Sequence, residues 1–242
     1  IYEPQLPILI ERQDNVFMNI RIEANQSKAL QEVRLCFDKD VNLDEVKSVK
    51  LYYSGTEGAG RKGMYFSPNL DYIANRLPGN TLVANPSYSV LKSQVVSPKH
   101  EISLRTNQKL FSGVNYFWIS VQMKPNASIR SKVSAEVSDV ILDGSSAPIK
   151  KVNKLSAHYL GVGVRHSGDD GVESYRIPGL VTTNAGTLLG VYDVRHNNSA
   201  DLQEYVEVGL SRSVDGGQTW EKMRIPMSFG EYGGLPKAQN GC

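Results

Sequence analysis

The chain has 242 residues, 40% hydrophobic and 21% charged, enough to build one large or two ordinary globular domains with buried cores. Its 27 basic and 25 acidic residues leave a net charge of +2, and the basic residues are scattered, which argues against a nucleic-acid partner. No apolar run approaches the roughly 18 residues a helix needs to cross a bilayer, so no membrane span is expected.

The first elements alternate. In VFMNIRIEA, the residues Val16, Met18, Ile20 and Ile22 share one face, with Arg21 and Glu23 on the other. VRLCFD repeats the pattern with Val33, Leu35 and Phe37, and LDEVK, Leu43 to Lys47, has the spacing of a helical turn. NYFWISVQMK groups Phe117, Ile119, Val121 and Met123, and KVSAEVSDVIL groups Val133, Ala135 and Val137. A period of two with one apolar face describes half-buried strands. Turn residues punctuate them at Gly55 to Gly63, Pro78-Gly79, Asn85-Pro86, Pro125-Asn126 and Asp143-Gly144. Residues 1–155 therefore read as an antiparallel, jelly-roll-like β-sandwich. Tyr116 and Trp118 point away from the apolar stripe of their strand. They either pack against a neighbouring layer, the favoured reading, or form a platform on which a sugar ring stacks. Tyr52, Tyr53, Tyr65 and Phe66 are further platform candidates.

The polar, basic SSAPIKKVNKLSAH, Ser145 to His158, reads as a linker, and a second domain is assigned to residues 156–242. GDDGVES, Gly168 to Ser174, holds adjacent acids at an incomplete calcium-ligand spacing and reads as a solvated turn. Four strand candidates follow: SYRIPGLVTT, TLLGVYDVRH, VEVGLSRSV and TWEKMRIPM. The first two are joined by Asn184-Ala-Gly186 and the last two by SRSVDGGQTW. Such a meander has two bare edges and needs neighbours, which is the makeup of one blade of a β-propeller. The fold class is all-β: a sandwich followed by one blade, with the propeller domain expected to be incomplete. Cys36 and Cys242 form no CxxC or Cys/His cluster, so no metal site is expected, and a disulfide between them is the minor reading. The sequons at Asn25, Asn126 and Asn197 matter only if the source glycosylates its secreted proteins.

Three motifs in the second half carry chemistry. Ser213-Val-Asp215-Gly-Gly217-Gln-Thr219-Trp220 fits S-x-D-x-G-x-T-W. The Asp can accept from turn amides, the Gly can take positive φ, and the Thr and Trp can fold back under the loop. That describes a structural hairpin, not a catalytic one. Tyr175-Arg176-Ile177-Pro178 places an Arg on a strand, where taken alone it is a solvated charge. VYDVRHNNSADLQ then supplies Arg195 and, in a polar loop, Asp201. Asp193 shares the face of Arg195 on a regular strand, as a rival carboxylate or as the partner that orients the Arg. His196 either lines the same pocket or is a packing residue, and the second is favoured.

The octapeptide resembles the Asp-box of sialidases and related propellers. Tyr175 to Pro178 resembles the F/Y-R-I-P motif ahead of the first Asp-box in that family, and Arg195 followed by Asp201 resembles its second arginine and catalytic Asp. The chain is similar to the N-terminal part of secreted bacterial exo-α-sialidases (neuraminidases) of retaining type with a six-bladed propeller. The resemblance rests on motifs from Tyr159 onward and on strand layout before that.

The resemblance implies that Arg176 and Arg195 belong to an arginine triad gripping the sialic acid carboxylate, which suits the planar fork of Arg. It implies that Asp201 protonates the leaving oxygen and then activates water. The nucleophile is a Tyr activated by a Glu; that pair and the third Arg are expected in later blades, outside this chain, and neither Tyr175 nor Tyr192 is assigned the role. YGGLPKAQNGC resembles the approach to an Asp that shapes the pocket for the N-acyl group. Expected partners are sialylated glycans and the remaining blades, with no cofactor. A chain beginning at Ile1 reads as processed, with a secreted, periplasmic or cell-surface location. Residues 1–155 would be an accessory or carbohydrate-binding domain. The competing readings are a glycan-binding module without catalysis and a non-catalytic Asp-box propeller, and Arg176, Arg195 and Asp201 argue against the latter. Hydrolase and trans-sialidase remain equally open.

Overall fold

The computed structural model describes residues 1–4, 6–56, 89–152, 157–201, 205–228 and 230. Tyr65, Phe66, Pro78-Gly79, Asn85-Pro86 and all of YGGLPKAQNGC, Cys242 included, lie outside them. The chain divides into two compact units, Ile1–Gly161 and Val162–Cys242.

The first unit contains β1 (Ile8–Leu9), β2 (Asn15–Ala24), β3 (Lys28–Phe37), β4 (Val46–Thr56), β5 (Val90–Val96), β6 (Glu101–Leu110), β7 (Gly113–Met123), β8 (Lys132–Val133), β9 (Ala135–Leu142), β10 (Ser145–Ser146) and β11 (His158–Gly161). They form two four-stranded antiparallel sheets, in the orders β2-β7-β4-β5 and β10-β9-β3-β6, and a small sheet β1-β11-β8. Strand β11 begins at His158, the last residue of the expected linker and within the range assigned to the second domain, yet it pairs with β1 and β8 of the first unit.

Alternation places the core. Val33, Leu35 and Phe37 of β3 are buried, as are Ile102 and Leu104 of β6 and Val137 and Val140 of β9. The opposite face of β3 carries Glu32 and Arg34, which join Asp139 and Arg105 in a surface ladder of ion pairs. The stretch expected as one strand over KVSAEVSDVIL is two. Strand β8 pairs with β11, β9 pairs with β3, and the chain changes sheets at the buried Ser134. In β2 the regular alternation also breaks. A bulge between Val16 and Met18 inserts Phe17, which becomes fully buried while Val16 is only half-buried.

Strand β7, central in its sheet between β2 and β4, is buried on both faces. Phe117, Ile119 and Val121 occupy one face; Tyr116, Trp118 and Ser120 occupy the other, and all are buried. Trp118 stacks on Tyr52 at 4.4 Å with an interplanar angle of 11° and donates from Nε1 to Ser89 Oγ at 3.0 Å. Beside this stack, Asp14 Oδ1 accepts from Lys50 Nζ, Tyr52 OH and Ser120 Oγ at 2.9, 2.9 and 3.0 Å. The three donors satisfy a carboxylate in a half-buried setting. Tyr116, Trp118 and Tyr52 are thus packing residues and offer no open ring to a sugar. Replacing Trp118 with Ala removes the stack and leaves a cavity. It should lower the stability of the first unit by about 3–5 kcal/mol in a guanidinium unfolding experiment.

The second unit is one antiparallel sheet of β12 (Ser174–Thr182), β13 (Leu188–Arg195), β14 (Val206–Ser213) and β15 (Arg224–Met227), in that spatial order. Its buried core cluster is Val172, Tyr192 and Val194, flanked by Val164, Tyr175 and Met223. Tyr175 meets Tyr192 edge-on at 5.4 Å, and the Tyr192 hydroxyl shares a 2.6 Å hydrogen bond with Ser211 Oγ. Gly209 lies opposite Tyr192, where an added Cβ would meet the ring at 2.5 Å. Strand β15 is shorter than TWEKMRIPM because Thr219 and Trp220 belong to the turn before it.

That turn is tied by its own side chains. Ser213 Oγ donates to Asp215 Oδ1 at 2.8 Å and accepts from Gly217 N at 2.9 Å. Asp215 accepts from Thr219 N at 2.9 Å and from Thr219 Oγ1. Gly217 has φ +97°, which a side chain would resist, and its carbonyl accepts from Trp220 Nε1 at 3.2 Å. The indole then covers Gly190 of β13. The Thr219 hydroxyl and amide hold the Asp215 carboxyl down at about 2, against an ordinary 3.8. A depressed carboxylate contributes stability that is complete above its unfolded value and is lost as pH falls through the folded one. Asp215→Asn should therefore lower the thermal midpoint near neutral pH, and the gap from the parent should close between about pH 4 and pH 2.

Candidate active site

The register of β12 on β13 brings the charged residues together. Arg176 lies opposite Asp193 and Ser174 opposite Arg195, so Arg176 and Arg195 are diagonal neighbours on one face. Just after Arg176 the pairing slips, and Ile177-Pro178 bulge out before Gly179 resumes the ladder. Ile177 takes φ +53° there, a conformation a β-branched residue adopts only under constraint, at a cost of about 1–3 kcal/mol. Proline at 178 brings no N–H to the ladder, which suits the break.

Arg195 is 1% exposed, so its charge must be paired where it lies. Its Nε and Nη2 both donate to Asp193 Oδ2, at 3.2 and 2.7 Å. Its Nη1 donates to Asp201 Oδ1 at 2.7 Å and to the Ser199 carbonyl at 2.9 Å. Arg176 Nη1 uses the same two acceptors, Asp201 Oδ1 at 3.0 Å and Ser199 O at 2.8 Å. Two guanidinium groups thus converge on one carboxylate oxygen, and two acids balance two bases. Burial opposes the charge on Arg195, but the hydrogen bonds it donates to Asp193 and Asp201 outweigh it and hold the guanidinium above its ordinary value. The hydrogen bond from Arg195, then the charge of Arg176, holds the Asp201 carboxyl below the usual carboxylate range.

The structure places Arg176, Arg195 and Asp201 in one cluster and puts Asp193 behind Arg195 as its orienting partner. His196 faces elsewhere. Its ring stacks on Tyr205 at 4.0 Å, and its Nε2 lies 2.8 Å from Glu207 Oε2. With His196 N donating to Tyr205 O at 3.1 Å, these contacts fasten the base of the loop that carries Asp201. Glu207 and the Ser199 carbonyl escaped the sequence reading. Glu207 sits opposite Val194 on β14, a register no motif announces, and a backbone carbonyl leaves no trace in residue identity.

The acids of GDDGVES are occupied locally. Asp169 Oδ2 accepts from His166 N at 2.8 Å, and its carbonyl accepts from Tyr175 OH at 2.8 Å. Asp170 Oδ2 lies 3.4 Å from Arg165 Nε. Among the described residues no cluster of His, Cys, Asp and Glu is placed to hold a metal.

Residues 1–146 match the N-terminal domain of BNR-repeat neuraminidase. A sialidase of Bacteroides fragilis (strain YCH46) is 55% identical over all 242 residues, which cover 44% of its length. An anhydrosialidase of Macrobdella decora is 32% identical over 73 residues, 30% of this chain and 10% of that protein. Among solved structures, the Hadza microbial sialidase Hz136 superposes with a TM-score of 0.82 at 45% identity, over 98% of this chain and 46% of that one. The chain therefore spans less than half the length of the sialidases it matches over its whole extent. With a sandwich that carries the family's N-terminal domain, and an Asp-box hairpin beyond it, the chain belongs to the BNR-repeat neuraminidases.

Proposed function

We propose that the chain supplies the first part of an exo-α-sialidase that releases terminal sialic acid with retention. The observation that carries this reading is the convergence of Arg176 Nη1 and Arg195 Nη1 on a single carboxylate oxygen. Two cations aimed at one point make a seat for an anion, and among common terminal sugars a carboxylate at the anomeric carbon is peculiar to sialic acids. Arg176, whose side chain is 42% exposed and spends only Nη1 on the loop, is the arm that meets the substrate carboxylate. Arg195, with Nε and Nη2 committed to Asp193, adds its Nη1 from beneath.

Asp201 serves as the general acid and then as the base. The carboxylate on the anomeric carbon repels an anionic nucleophile, which favours the neutral Tyr assisted by Glu that the family employs. The arginines also offset charge beside the oxocarbenium-like transition state. The Tyr–Glu pair and the third Arg belong to sequence beyond this chain. Neighbouring blades from that sequence would cover the exposed apolar residues Ile177, Leu180, Val181 and Met227 of the lone sheet. A secreted, periplasmic or cell-surface enzyme acting on sialylated glycans fits this reading.

A glycan-binding role for the sandwich gains no support. Of the rings expected as a platform, Tyr116, Trp118 and Tyr52 are buried and Tyr53 packs against Phe117, while Tyr65 and Phe66 lie outside the described residues; no aromatic side chain lines the 590 Å³ cavity beside β2 and β10. The test is release of sialic acid from a fluorogenic α-sialoside by the full-length parent. The parent should turn over, while Asp201→Ala and Arg176→Ala should each lose about 10²–10⁴-fold in kcat/KM. The 242-residue chain alone, verified by mass, should be inactive. An inert parent, or turnover by the chain alone, would refute the assignment.

A further inference from the structure

We infer that Asp201 is an internal stand-in for the substrate carboxylate: at rest it fills the anion seat of Arg176 and Arg195, and the ligand must displace it. The inference rests on the sialidase reading and adds a step to it. Asp201 Oδ1 and the Ser199 carbonyl each accept from both Nη1 atoms, at 2.7 to 3.0 Å. Two acceptor oxygens side by side on two guanidinium groups reproduce what the two oxygens of one carboxylate would offer. The loop thus presents a carboxylate-like pair to the same nitrogens that a sialic acid would need.

The seat is built to outlast the occupant. Arg195 is buried and keeps two hydrogen bonds to Asp193 when Asp201 leaves, so its charge is never stranded. Arg176 is carried by β12, paired with Asp193 just before the strained bulge at Ile177, so its backbone does not depend on the loop. Asp201, by contrast, has a side chain that is 70% exposed and is held by the two arginines. The Asp201 end of the cluster lies in solvent, where an ion pair is weakly held, so an incoming carboxylate can replace it. Among the described residues, the other charged groups near the seat are Asp193, which faces Arg195, and His196 and Glu207, which face each other.

Displacement resolves a conflict within the site. A general acid must carry a proton, yet Asp201 in the seat is ionised, since Arg195 and Arg176 hold its carboxyl below the usual range. Once the ligand carboxylate takes the two cations, Asp201 loses what depresses it and gains a like charge nearby, and both changes favour taking a proton from solvent. Binding would then arm the acid, and an empty site would keep it unarmed.

A self-occupied seat lowers apparent affinity by the fraction of time it is open. If the seat is filled about nine-tenths of the time, Asp201→Asn and Asp201→Ala of the full-length parent should each bind N-acetylneuraminic acid about ten-fold more tightly. Its methyl ester, which does not compete for the seat, should show no such gain, measured by isothermal titration calorimetry. A crystal structure of the parent with N-acetylneuraminic acid should show Asp201 parted from Arg176 Nη1. Equal or weaker binding by both variants, or Asp201 Oδ1 still on both arginines beside bound ligand, would overturn the displacement while leaving a turning-over parent as a sialidase. A parent that neither cleaves sialosides nor binds sialic acid would overturn both readings.

Discussion

Arg195 is the constraint around which the second unit is arranged. A guanidinium 1% exposed at the end of a strand cannot stay there uncompensated, because an unpaired buried charge costs several kcal/mol. Asp193, two residues back on the same face of β13, takes two of its N–H groups. The Asp201 loop takes the remaining nitrogen and reaches across to Arg176. The strand register, the bulge at Ile177 and the His196–Glu207 fastening all bear on this point. They fix how far Arg176 stands from Arg195 and where the loop begins and ends.

Around that cluster, rigidity and looseness are separated. The Asp-box turn closes the far end of β14 with hydrogen bonds from Ser213, Asp215, Thr219 and Trp220, and the indole clamps the turn onto Gly190. Tyr192 lies across Gly209 and is held by Ser211. The strands that carry Arg176 and Arg195 are thereby positioned by packing, whereas Asp201 hangs from an exposed loop. In the proposed mechanism, arginines fixed by packing and an acid on an exposed loop suit chemistry in which one carboxylate first protonates and later deprotonates. Within its own unit the sandwich builds a separate core around the doubly buried β7, where Trp118, Tyr52 and Asp14 lock together.

Much of this was legible in the sequence, and the failures have physical causes. Turn residues set off the four strands of the meander; alternation located β3, β7 and β9 because one face of each must be apolar. It mislocated Phe17, since a bulge shifts the face of a residue without altering composition. It joined β8 to β9, since a change of sheet at Ser134 leaves the apolar spacing intact. It left the aromatic face of β7 ambiguous, since period two cannot tell a half-buried strand from one with layers on both sides. The Asp-box was readable residue by residue because its contacts are local. The union of Arg176 with Asp201 was expected from family likeness alone, and the roles of Glu207 and Ser199 depend on register and on a backbone carbonyl.

The central claim is that Arg176 and Arg195 read a carboxylate. The most direct measurement compares kcat/KM of the full-length parent on an α-sialoside and on the same sialoside as its carboxyl methyl ester, with the leaving group unchanged. The account predicts that esterification abolishes turnover, because the arginines lose the anion they are built to hold. Comparable rates on the two substrates would contradict it, and would mean that the arginine cluster serves the loop and not the substrate.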